Sequence, residues 1–259
     1  MAFDVNNFVI DRVVRGVALS QDDNSVLFSI NQIQNASLNC ASESTDAVDA
    51  LGTPIATFYR AKSAEFSAEN ALFDMNLMAT QLGTTKKVAS SGSKIVTPAM
   101  ETFTVSTDKT YTLKHAPSTA PTEIYALNGD STFGVKYTKA TGNEATADAF
   151  AITGSTIKLP TNVDAKTEMF VMYEYESADA VEVVNSAVNY PVGCKFVMEV
   201  LGCDVCNQTD LIYAYVIFNN FKLSPDFDWS IATDGSHPFS GKAQQDYCDK
   251  EKRLELIAA

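Results

Sequence analysis

Strand-forming runs dominate the chain from end to end. β-Branched and aromatic residues fill Phe3–Ile10, Arg12–Leu19 and Val26–Ile33, and Asp22-Asp23-Asn24 supplies a turn between the last two. In Pro54–Phe66, Ile55, Thr57 and Tyr59 fall on one face, with Ala56, Phe58 and Arg60 on the other. Successive strand side chains point to opposite faces, so this texture describes sheets. Longer strands return in the last third, over Ala180–Val188, Gly193–Leu201 and Leu211–Leu223. Between them lie shorter candidates: Thr102–Val105, Thr110–Lys114, Glu123–Leu127, Gly134–Thr138, Ala149–Thr153, Thr156–Leu159 and Phe170–Glu176. Turn signals such as Asn128-Gly129-Asp130 and Thr141-Gly142-Asn143 separate these, a spacing that suggests a sandwich. The fold class is mainly β.

One segment breaks the period of two. Leu72, Met75, Ala79 and Leu82 recur at spacings of three and four, with Met78 beside them, which predicts an amphipathic helix over about 67–82. Ser67 stands as its N-cap, Glu69 places negative charge at the positive end, and Gly83 ends it. Upstream, Ala41–Thr53 is small, acidic and glycine-containing and reads as a long polar loop carrying Glu43, Ser44, Asp46 and Asp49.

A chain of 259 residues with 46% hydrophobic side chains can bury a real core, in one large domain or one domain carrying an insertion. Its net charge of −13 opposes a surface built to embrace DNA or anionic lipid. No apolar run is long enough to cross a bilayer, so no membrane anchor is expected, and the first residues lack the pattern of a secretory signal. Five cysteines (Cys40, Cys194, Cys203, Cys206, Cys248) at irregular spacing read as free thiols made in a cytoplasm.

Catalytic residues are hard to assemble. His115 and His237 are the only histidines; each sits in an expected loop, away from any nucleophile elbow. No phosphate-cradling glycine motif occurs. Glu174 and Glu176 share a strand face, but Trp229 is the only tryptophan, which disfavours a sugar-binding cleft. Cys203-Asp-Val-Cys206 has metal-ligand spacing without a second pair to complete four zinc ligands. Asp226, Asp228 and Asp234 lack a calcium-loop pattern, and Asn35 and Asn207 head glycosylation sequons that mean nothing without secretion. No enzyme activity, metal or cofactor is expected.

The order of elements then matters: N-terminal strands, a small-residue segment, a strand closing into one helix, then further strands. Two stretches carry the closest texture, Gly52-Thr-Pro-Ile-Ala-Thr-Phe-Tyr-Arg-Ala-Lys-Ser-Ala-Glu-Phe-Ser-Ala-Glu-Asn-Ala-Leu-Phe and Phe227-Asp-Trp-Ser-Ile-Ala-Thr-Asp-Gly-Ser-His-Pro-Phe-Ser-Gly-Lys-Ala-Gln-Gln-Asp-Tyr-Cys. In this the chain resembles the tail-tube proteins of tailed bacteriophages and the inner tubes of contractile injection machines. The resemblance covers 1–90 and 177–259 and implies a barrel-like β fold with one flanking helix. The stretch 91–176 departs from it, as an inserted sandwich-like region or an extension of the barrel sheets.

The resemblance further implies a virion protein of the tail, assembled in the host bacterial cytoplasm into stacked hexameric rings. Its partners would be copies of itself and other tail proteins: tip or baseplate, terminator, sheath. DNA would pass through an acidic lumen without specific binding. Glu43, Ser44, Asp46 and Asp49 would belong to a ring-stacking loop, and Leu72, Met75, Ala79 and Leu82 to the helix face packed on the barrel. The alternative is an immunoglobulin-like decoration or adhesin-type binding protein.

Overall fold

The computed structural model describes residues 7–205, 207–245 and 254–258. The chain divides into two compact units, one formed by Met1–Lys86 with Val183–Ala259 and the other by Lys87–Glu182. The first half contributes β1 (Phe8–Ser20), β2 (Val26–Ile30), β3 (Ile33–Val48), β4 (Pro54–Asn70) and helix α1 (Met75–Gln81). Then follow β5 (Lys87–Val88), β6 (Ile95–Thr104), β7 (Thr110–Thr112), β8 (Pro117–Thr119), β9 (Glu123–Leu127) and β10 (Phe133–Lys139). Next come β11 (Ala149–Thr153), β12 (Thr156–Lys158), β13 (Glu168–Ser177) and β14 (Val181–Glu182). The chain closes with β15 (Gly193–Asp204), β16 (Asn207–Leu223), β17 (His237–Ala243) and β18 (Glu255–Ala258).

In the first unit the described strands make one curled half-barrel sheet, in the order β2-β1-β15-β16-β17-β4-β3, with β18 also on β16. Alternation works as expected here. In β15 every second residue from Cys194 to Val200 is buried, and these meet the inward residues of β16. The core is aromatic. Phe66 lies at 5.8–6.4 Å from the rings of Phe196, Phe218, Phe221 and Phe239, and Leu77 of α1 joins the same cluster.

The second unit is sandwich-like, with strand order β6-β13-β9-β10-β11-β12-β7 and β8 on β13. Its core gathers Phe103, Ile124, Phe150, Ile157, Met169 and Val171. Glu101 is buried at the edge of that core. Its carboxylate accepts hydrogen bonds from the hydroxyls of Tyr111 (2.6 Å) and Tyr173 and from the Lys114 N–H (3.0 Å). Burial alone would raise its pKa, but these donors outweigh it and hold the carboxyl below its ordinary range. Burial, and then the hydrogen bond to Glu101, push both phenols up to about 12. The two ends of the unit are stitched together by β5 against β14, with Val88 opposite Val181 and Lys87 3.6 Å from Glu182.

Three sequence expectations are corrected. The helix is half the expected length: Ser67 and Glu69 lie in β4, paired with Ser240 and Pro238 of β17, so neither caps a helix. The N-cap is Asp74, whose carboxylate accepts from the N–H groups of Asn76 (2.9 Å) and Leu77 (2.7 Å). Gly83 does follow the last turn with φ +65°, and its own N–H bonds the Thr80 carbonyl. The segment Ala41–Thr53 is not a long loop. Its first eight residues continue β3, and only a short turn separates Val48 from Pro54. The expected strand Ala180–Val188 shrinks to the two residues of β14.

Candidate functional site

Within the first unit, the far part of the β3–β4 hairpin lies outside the aromatic core. β4 pairs with β17 only from Asn70 to Glu65, so beyond that point the hairpin continues as a two-stranded ribbon. Ala64, Phe66, Ala68 and Asn70 are buried, whereas every residue from Pro54 to Ser63 is exposed, as is every residue of β3 after Ile33. At about 3.3 Å per residue the free part is roughly 30 Å long. An isolated two-stranded ribbon is marginal in water. This one nevertheless carries apolar side chains on the outside: Val48, Ile55, Phe58, Tyr59 and, at 92% exposed, Leu51.

Local chemistry holds the ribbon in shape. At its tip the Asp49 carboxylate accepts from the N–H of Leu51 (2.8 Å) and Thr53 (2.9 Å), and Gly52 takes φ +84°. Those donors, Thr53 first, hold the Asp49 carboxyl below its ordinary range. Midway, Ala61 sits at φ +47° where the register slips between Ala41/Ser63 and Glu43/Arg60, which marks a bulge that bends the ribbon. Glu43 lies opposite Arg60, Ser44 opposite Tyr59, and Asp46 opposite Thr57. Thus Glu43, Ser44 and Asp46 line one strand of a projecting ribbon and Asp49 builds its tip.

The sheet that bears this ribbon ends in open edges. Among the described residues β2 and β3 terminate the strand order, and β3 runs for sixteen residues with a strand partner on one side only. Long unpaired edges with exposed apolar neighbours are templates for pairing with another chain.

The expected helix face is dispersed. Met75 is partly buried, Ala79 and Leu82 are buried, and Leu72 precedes the helix with 60% of its surface exposed. Leu77, absent from the predicted stripe, is the helix residue sunk in the core. Both histidines have structural partners. His115 is exposed and stacks on Tyr175 at 4.0 Å. His237 is fully buried; its Nε2 lies 2.9 Å from Gln81 Oε1, the Asp74 N–H points at its Nδ1 (3.4 Å), and Phe73 stacks between it and Trp229. Burial depresses its pKa, while Asp74 pulls the other way. This clamp ties both ends of α1 to β17, and no spacing signal could have revealed it across 156 residues.

Cys203 is a free thiol in β15, and burial pushes the Cys194 thiol up to about 12. Cys206 and Cys248 lie outside the described residues. Among the described residues no three His, Cys, Asp or Glu side chains gather as metal ligands, and Asp226, Asp228 and Asp234 sit in the irregular segment before β17. Among the described residues no helix is long and apolar enough to cross a membrane.

A model of the YomU/Tube protein family matches residues 8–253, almost the whole chain. The chain belongs to that family. Its name marks a phage tube-type protein, so the mainly β half-barrel is that of a structural component of a phage tail. No curated protein matches the sequence. A tube family implies oligomerisation with other tail components.

Proposed function

We propose that this protein is the subunit of a phage tail tube, whose copies close into rings that stack into the conduit for DNA ejection. The observation that carries the reading is a curled sheet whose two edges are open among the described residues, with a ribbon of exposed apolar residues extending from one of them. A second copy supplies what both features lack: strand partners for the edge and a dry surface for Val48, Leu51, Ile55, Phe58 and Tyr59. Six copies per ring follow from the family resemblance, as do tip, terminator and sheath partners and assembly in the host cytoplasm. A net charge of −13 repeated around a ring suits a lumen through which phosphate slides without adhering. Catalysis has no part in this reading. Negative-stain images of the purified chain, nucleated with tail-tip components, should contain rings or tubes. A strictly monomeric species at high concentration would overturn it.

A further inference from the structure

The inserted unit has a face that the tube reading does not use. Residues opposite each other in a ladder share a face, which places Phe170 beside Tyr125 and Thr102, and Met172 beside Met100, on the side of the sheet away from Met169 and Val171. Phe133 adds a third ring, 5.1 Å from Phe170 and 5.2 Å from Tyr125. Phe133, Met100 and Met172 are 60%, 65% and 50% exposed, so the patch is open to solvent.

The charge around this patch is one-sided. Lys136 is taken by Glu123 (3.0 Å) and Lys94 by Glu176 (3.3 Å). Glu168 and Glu174 lie on the same strand face as Phe170 and Met172 and bracket them, and neither has an ion-pair partner among the described residues. Six residues of extended chain set these carboxylates about 20 Å apart. The strand at the border of this sheet, β6, carries Pro98 opposite Glu174, and a proline there lacks the N–H that an added strand would need. A partner therefore seats on the face instead of extending the sheet.

We propose that this outer face, centred on Phe133, Phe170, Met172 and Met100, docks a partner protein with an apolar patch flanked by lysine or arginine side chains. Two like faces brought together would oppose their own carboxylates, so a second copy is disfavoured, and anionic lipid or nucleic acid is repelled. The aromatic and methionine centre supplies adaptable apolar contact, and the two carboxylates set register and partner choice.

The test places the photo-crosslinking residue p-benzoylphenylalanine at position 133 of the full-length chain and irradiates it in assembled particles. The expected adduct is with a different polypeptide, through a segment in which Lys or Arg brackets apolar residues. Its yield should fall about tenfold in a Glu168→Lys/Glu174→Lys variant and decline as salt rises from about 50 to about 500 mM. Negative-stain images of that variant should still contain tubes, which separates this face from the assembly surface. An adduct with another copy of the chain, with lipid or with glycan overturns the proposal. So does no adduct, a contact segment without basic residues, or a yield indifferent to the charge reversal.

Discussion

Replacing Leu77 by alanine should cost the first unit about 3–5 kcal/mol, toward the upper end of the range for large-to-small core changes. The side chain is fully buried and belongs to the cluster built by Phe28, Phe66, Phe196, Phe218, Phe221 and Phe239. Those rings are carried on hydrogen-bonded strands that cannot slide inward independently, so a cavity would persist after truncation. Leu72→Ala provides the control: 60% exposed and outside the helix, it should cost less than about 1 kcal/mol. Trp229 is a built-in reporter, the only tryptophan, stacked on Phe73 at 4.3 Å beside the helix N-cap. Its fluorescence in a urea titration of dilute chain follows the first unit alone. A unit of this size loses about 2–4 °C of Tm per kcal/mol, so Leu77→Ala should melt roughly 6–20 °C lower. Equal losses for the two variants, or a larger one for Leu72→Ala, would refute the placement of α1.

Three further outcomes are expected. Replacing Ser42–Lys62 by Asn-Gly joins the paired residues Ala41 and Ser63 through a two-residue turn; the Tm should stay within about 3 °C while negative-stain images contain no tubes, and normal tubes would end the assembly role of the ribbon. Gly83→Ala combines a left-handed residue with a Cβ only 2.3 Å from the Tyr190 backbone, so a loss of about 2–5 kcal/mol by urea denaturation is expected, and a neutral result would contradict the cap geometry. Acid should unfold the units in different windows. His237, buried neutral with a depressed pKa, contributes stability that is complete above its unfolded value of about 6.5 and is lost as pH falls below it. Glu101, also depressed, contributes stability that is complete above about 4.3 and is lost only below that. Trp229 fluorescence should therefore change at higher pH than the near-ultraviolet signal of Tyr111 and Tyr173, and coincident transitions would refute the assignment.

Legibility of the fold tracks burial. Where one face of a strand meets the phenylalanine core, as in β15 and β16, the alternation in sequence marks the strand and its inward side. In β3 after Ile33 both faces meet solvent, nothing selects for alternation, and a run such as Ala41–Val48 has the small polar composition of a loop. The helix start misleads for a different reason. Ser67 and Glu69 are good capping residues in isolation, but their backbone is claimed by Ser240 and Pro238 of β17, far later in the chain. Asp74 was an equally good cap by residue type, and only the ladder decides between them. Resemblance singles out Glu43, Ser44, Asp46 and Asp49 as loop residues; the strand pairing of the first three with Arg60, Tyr59 and Thr57 on β4 leaves no mark in the sequence.

The chain enters and leaves the inserted unit at adjacent positions. Val88 faces Val181, the Ala89 N–H bonds the Ala180 carbonyl, and antiparallel partners of this kind stand only about 5 Å apart. Such a junction is a socket. Any independently folding module whose two ends emerge side by side fits the spacing between Val88 and Val181, and closing the chain across so narrow a gap adds little entropy loss. A polymer made from such subunits would display the module once per subunit at regular intervals along its length. The same two short strands that close one module would thus close another whose ends stand as near together.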